Sequence, residues 1–156
     1  MSEALVGAVR LLSRREHGAH ELHHKLAKKG HIDSEIQAAL EECQRLGLQS
    51  DSRFVENVCR TRIRQGYGPV RIRQELKQLK IDSELIDTAL SQGPDEWLSH
   101  ALQVWQKKYK EPREDAHAKQ QQQKQFLLYR GFSTEIINSL FKNLPLITLN
   151  DVYHEK

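Results

Sequence analysis

Ile32-Asp33-Ser34-Glu35 reads as the opening of a helix, and the same four residues return as Ile81-Asp82-Ser83-Glu84, 49 residues further on. A relative, Phe132-Ser133-Thr134-Glu135, follows after 51 more. A short Asp or Ser side chain accepts from the orphan amides of a first turn, and a carboxylate there is favoured by the helix dipole. Each copy runs into apolar residues with a closing leucine: Ile36 with Leu40, Leu85 and Ile86 with Leu90, Ile136 and Ile137 with Leu140. Upstream of the first two copies, Leu22 and Leu26, then Ile72, Leu76 and Leu79, recur at helical spacing. Phe126, Leu127 and Leu128 take that place before the third. A pattern returning roughly every 50 residues is the mark of a repeat architecture.

Each unit divides into three helices. The first, residues 1–50, predicts helices over 4–15, 18–29 and 33–46, broken at His17-Gly18 and Gly30-His31. The second, 51–93, predicts 51–65, 69–79 and 82–91. Its break is Gly66-Tyr67-Gly68, after which Pro69 suits a first helical position. Gly93-Pro94 opens the third, 94–143, with helices over 95–109, 114–129 and 133–143 and with Pro112 and Gly131 as breakers. Residues 144–156, which include Pro145, read as an extended tail that Leu146, Ile147 and Leu149 could order in part. A single unit of this size buries little area, so neighbours are expected to pack or at least lean on one another. The fold class expected is all-α, three tandem three-helix repeats forming an elongated, curved array.

Composition agrees and removes several classes. The 156 residues hold 20 leucines but only 8 glycines and 4 prolines, a helix-forming balance. Apolar residues are 38% and charged ones 29%, enough for an interior though not for a thick core. No apolar run approaches the roughly 20 residues of a membrane span, and Arg10 cuts Leu5-Val6-Gly7-Ala8-Val9 short of a secretory leader. Cys43 and Cys59 have no metal-type spacing and are too few for a disulfide framework. The chain is expected in the cytoplasm, as a monomer, without a cofactor and without membrane contact.

The charge is unevenly spread. A formal +3 overall conceals seven basic residues against one acid, Glu75, between Arg60 and Lys80, a local charge of +6. At 100° per residue, Arg53, Arg60 and Arg64 fall opposite Phe54, Val55 and Val58, while the stem of Arg62 points coreward. On the next helix Arg73, Lys77 and Lys80 flank Ile72, Leu76 and Leu79. Such a stripe is most often a solvated face. Five of the seven are arginine, however, whose planar fork suits phosphate or carboxylate. Tyr67 adds an aromatic that can stack on a base, fill an interface pocket or cover the helix ends. Gly66 and Gly68 form no phosphate loop, for no strand precedes them and no Gly-Lys-Ser/Thr follows. A polyanion, or a partner with an acidic groove, is the target this pattern favours.

His17, His20, His23 and His24 make a second cluster. His20 and His24, four apart and opposite Leu22 and Leu26, could share a divalent metal, yet no carboxylate or thiol completes a site. The reading is a polar face that gains charge below a pH of ~6.5. Gln120–Gln123, flanked by Lys119 and Lys124, reads as a solvated helical stretch. There is no nucleophile elbow, no HExxH, no P-loop and no dinucleotide fingerprint, so no enzyme is expected.

The stretch Arg64-Gln65-Gly66-Tyr67-Gly68-Pro69-Val70-Arg71-Ile72-Arg73-Gln74-Glu75-Leu76 resembles the central signature of the RecX family, regulators of the RecA recombinase. Leu11 to His17, Glu21-Leu22, Lys25-Leu26, Asp51 to Val55, Lys107-Lys108-Tyr109 and Phe126 to Ser133 match in the same order, so the likeness spans about residues 5–143. It departs at Gly18, where the pattern favours a capping Ser, at an inserted His31, and at Lys80, which replaces the usual Gly. The resemblance implies a non-enzymatic inhibitor that lies in the groove of the RecA–single-stranded-DNA filament. It would suppress ATPase and strand exchange, by blocking extension or promoting disassembly, and so moderate recombination and the SOS response. Arg60, Arg64, Tyr67, Arg71, Arg73 and Lys77 are the candidate contacts, with Lys107, Lys108 and Arg130 as a second set. The rival classes are an autonomous nucleic-acid-binding protein that competes for DNA and a metal-dependent enzyme built on the histidines.

Overall fold

A computed structural model describes residues 1–109 and 119–154, the stretch 145–154 by its backbone alone. Among the described residues all regular structure is helical. The helices are α1 Glu3–Arg14, α2 Ala19–Lys28 and α3 Asp33–Arg45 in the first repeat, then α4 Asp51–Arg64, α5 Pro69–Gln78 and α6 Ser83–Ala89 in the second. The third repeat has α7 Pro94–Lys108, α8 Gln120–Tyr129 and α9 Thr134–His154. Pro112 and the expected helical start at 114–118 lie outside the described residues. No helix among the described residues is long and apolar enough to cross a membrane.

The repeats agree bond by bond at the end of the second helix. The amide of Gly30, Lys80 or Gly131 donates to a carbonyl three residues back, and the next amide reaches five residues back. Ile81 N to Leu76 O is 3.1 Å and Phe132 N to Leu127 O is 3.2 Å. This closure needs a left-handed residue, and all three have positive φ: 96° at Gly30, 58° at Lys80 and 95° at Gly131. The lysine therefore keeps the turn that glycine makes in its sister repeats.

The helix starts match the repeated tetrapeptide less evenly. Asp82 caps α6 by accepting from Glu84 N, and Ser133 Oγ accepts from Ile136 N at the start of α9. At α3 the side-chain cap is missing. Asp33 instead lies 2.7 Å from His23 Nε2, so the carboxylate ties α3 to α2. Gly18 offers no side chain to α2, and Asp51 from the start of α4 supplies the acceptor, 2.8 Å from Ala19 N.

The chain groups into two compact units: residues Met1–Arg60 with Gln74–Leu90, and Thr61–Arg73 with Ser91–Lys156. In the first, α1, α2 and α3 close over Ala4, Ala8, Leu22, Leu26, Ile36 and Cys43. Alanines on α1 let the helices approach closely while the leucines interlock. Phe54, Val55 and Val58 are buried as their spacing predicts. In the second, α7, α8 and α9 bury Trp97, Ala101, Leu127, Phe132, Ile137 and Leu140.

Three expectations change. The chain after 143 is helical: α9 continues to His154 across Pro145. A proline forbids its own amide bond but leaves the flanking turns available, and Leu144, Leu146 and Leu149 are helix formers. Of the four glutamines, Gln123 is buried and accepts at 2.9 Å from Trp105 Nε1, because α8 turns that side to α7. His20 and His24 are exposed, but His17 is 2% exposed and stands apart from a polar face. Among the described residues no three His, Cys, Asp or Glu gather as a metal site.

His17 has a defined proton. Its Nε2 lies 3.0 Å from Lys25 Nζ and its Nδ1 lies 3.1 Å from the Arg15 carbonyl. An ammonium only donates, so Nε2 accepts and the proton sits on Nδ1, which donates to Arg15. Burial, helped by the Arg15 and Lys25 cations, pushes the imidazole below its ordinary pKa. Gln49 Nε2 donates to the His17 carbonyl at 3.2 Å and to Asp51 Oδ1 at 2.9 Å, closing a side-chain network between residues 17–19 and 49–51.

Candidate nucleic-acid interface

The candidate residues of the second unit are organised by two turns. At the end of α4, Gly66 takes φ +90° and the amides of Gly66 and Tyr67 return to Ile63 and Arg62 carbonyls, which turns the chain sharply into Pro69. At the end of α8, Gly131 makes the corresponding turn. The two dock through their main chains: Gly68 N donates to Arg130 O at 2.8 Å and Val70 N to Gly131 O at 2.9 Å. Arg130 Nη1 adds a 3.3 Å bond to the Gln65 carbonyl.

The approach leaves no room for side chains. A Cβ on Gly68 would stand 2.5 Å from Gly131 O, and one on Gly131 would stand 2.4 Å from Arg71 Cβ and 2.8 Å from Arg71 N. Glycine at both positions is therefore a condition of the docking.

Around this joint the cations and rings alternate. The Arg71 guanidinium lies 4.0 Å from the centre of the Tyr67 ring, and that of Arg130 lies 5.2 Å from the same ring. Arg130 is also 5.3 Å from Phe126, and Lys108 Nζ is 5.2 Å from Phe126. A cation over a ring face is attracted by the ring quadrupole, so the aromatics hold several positive charges at one place. The structure thus joins Tyr67 and Arg71 of the first candidate set to Arg130 and Lys108 of the second. Arg64 and Lys107 are exposed on the last turns of α4 and α7, and Arg73 is half-buried on α5. Arg60 and Lys77 belong to the other unit, where both are exposed.

Arg60, Arg64, Arg71, Lys77, Lys107, Lys108 and Arg130 take part in none of the described ion pairs, which link Arg15 to Glu21, His23 to Asp33, Arg45 to Glu42 and Arg53 to Glu16. The acids of those pairs, Glu16, Glu21, Asp33 and Glu42, all lie in the first unit and neutralise cations there. Two features escape the charge count. Phe126 was readable as a core residue, though its i, i+4 spacing to Arg130 signals the contact. The Gln65 carbonyl has no sequence signal, since it is placed by the α4 turn.

Comparison with known proteins settles the family. Models of the first, second and third three-helix domains of RecX match residues 4–43, 50–90 and 94–141. The chain belongs to the RecX family. The Regulatory protein RecX of Legionella pneumophila (strain Corby) is 51% identical over 144 residues, 92% of this chain and 96% of that one. The Regulatory protein RecX of Pseudomonas entomophila (strain L48) is 41% identical, covering 89% and 90%. The crystal structure of RecX from Lactobacillus salivarius superposes with a TM-score of 0.78 at 23% identity, over 92% of this chain and 96% of that one. That likeness establishes the fold: an all-α protein of tandem three-helix RecX repeats.

Proposed function

We propose that this protein is a non-enzymatic inhibitor of RecA that binds the RecA–single-stranded-DNA filament in its groove and suppresses ATPase and strand exchange. In a cell it would moderate recombination and the SOS response. The observation that carries this reading is the cation–aromatic cluster at the joint of Gly68 and Gly131, within a chain of the RecX family. Guanidinium groups whose faces rest on rings keep their N–H edges for phosphate or carboxylate. Such a cluster suits a nucleoprotein filament, which offers both. Arg64, Tyr67, Arg71, Arg73, Lys107, Lys108 and Arg130 are its contacts in the second unit, and Arg60 and Lys77 are assigned to the first.

The test is RecA's DNA-dependent ATPase on preformed filaments, titrated with this protein well below one copy per RecA. Inhibition at those ratios supports action on the filament. Loss of activity only near saturation of the DNA supports the second reading, an autonomous DNA-binding protein that competes for DNA. That reading also requires tight binding to bare DNA with a salt slope of about one unit per phosphate contacted. Arg71→Glu with Arg73→Glu is expected to weaken filament binding with the helical CD spectrum unchanged. Unchanged affinity moves the contact elsewhere.

A further inference from the structure

Tyr67 is the aromatic that the sequence offers for stacking, yet two guanidinium groups already engage its ring. Another ring stands one residue from Arg130 in the chain. Tyr129 closes α8, one residue before Arg130, and is 74% exposed. Its side chain makes no hydrogen bond, ring contact or cation contact among the described residues. Val70, whose amide is bonded to the Gly131 carbonyl, is 43% exposed. An exposed ring thus stands next in the chain to Arg130, a member of the densest positive charge of the unit.

We propose that Tyr129 is a stacking platform for an unpaired nucleobase, with the guanidinium edges of Arg71 and Arg130 taking the adjoining phosphate. This rests on the filament reading, and it names which component of the filament this surface meets. Charge complementarity favours a nucleic-acid strand, and the exposed ring favours one whose bases are splayed out, since a paired base hides its face. Every base has a π-face, so the contact is tolerant of sequence.

The experiment is fluorescence anisotropy with a labelled dT oligonucleotide and an abasic oligonucleotide of equal length, at low salt. Tyr129→Ala should weaken dT binding about 10-fold, the loss of one stacked base. It should leave abasic binding unchanged, while Tyr129→Phe and Tyr129→Trp retain dT affinity. A helical CD spectrum like that of the parent checks the fold. Unchanged dT affinity in Tyr129→Ala, an equal loss on the abasic strand, or no dT binding by the parent overturns the proposal. The RecA ATPase separates it from the reading it rests on. A variant that binds dT normally but no longer inhibits RecA assigns Tyr129 to a protein contact instead. A parent protein that binds dT through Tyr129 but never affects RecA leaves the platform standing and removes the filament reading.

Discussion

Two joints between distant turns hold the units together internally, and they are built from different materials. In the first unit, residues 17–19 meet 49–51 through the side chains of Gln49 and Asp51, which bond the His17 carbonyl and the Ala19 amide. In the second, residues 66–70 meet 130–132 through amide and carbonyl groups, with glycines at the points of contact. The side-chain joint can be weakened a group at a time. The main-chain joint has no titratable member and fails when anything larger than hydrogen is placed in it.

The largest effect should come from Gly131→Ala. The new methyl meets the main chain of Arg71 and must also adopt positive φ. Steric overpacking and left-handed strain together predict about 3 kcal/mol or more of lost stability. Gly30→Ala is the control, because nothing lies within 4 Å of its Cβ position. It should lose only the strain, about 1 kcal/mol. Urea midpoints of the two variants measure the difference, and equal losses would show that the docking does not need glycine.

Asp51→Ala comes next. It removes the acceptor of Ala19 N and of Gln49 Nε2, and the loss of this helix cap should cost about 1–2 kcal/mol. Asp51→Asn, which keeps an oxygen, should recover most of it in the same denaturation experiment.

A pH titration of stability probes the neighbouring His17 imidazole, which is bonded to Lys25 and to the Arg15 carbonyl. His17 is neutral in the folded protein with its pKa held below the ordinary value, so the unfolded chain takes up a proton first as pH falls. Stability is fully present above pH ~6.5 and declines below it, by at most about 1.4 kcal/mol per pH unit from this residue, until folded His17 also protonates. His17→Gln should flatten that decline in urea titrations between neutral and acid pH. An unchanged slope would place the loss on other histidines.

The smallest expected change is a gain. Lys80→Gly relieves a left-handed residue, φ 58°, and should stabilise by about 0.5–1 kcal/mol. A loss in thermal denaturation would mean that the lysine side chain compensates for its strain.

The repeat was legible because each tetrapeptide and its trailing leucines lie close in the chain. Ile36, Leu40, Ile86, Leu90, Ile137 and Leu140 are all buried at those positions. The helix breaks at Gly30, Gly66 and Gly131 were legible for the same reason, as local backbone chemistry. What escaped was tertiary. Nothing near Gly18 reveals that Asp51, two helices further on, caps its helix. Nothing near Asp33 reveals that His23 claims its carboxylate. The two sets of candidate cations were found separately by charge, and their meeting over Tyr67 and Phe126 depends on a docking of glycines that composition does not show. Pro145 misled because a proline restricts one bond, whereas a helix of 21 residues has many others.

The second unit is assembled from two separated pieces of chain, Thr61–Arg73 and Ser91–Lys156. Translation delivers them at different times. When Leu90 has left the ribosome, all the residues of the first unit are present, whereas the amides of Gly68 and Val70 still await the carbonyls of Arg130 and Gly131. At roughly 5–20 residues per second, some seconds pass before those acceptors emerge. During that interval the amides of Gly68 and Val70 lack the acceptors that they have in the folded unit. A nascent chain halted before Gly131 would carry the basic sequence without the joint that arranges it.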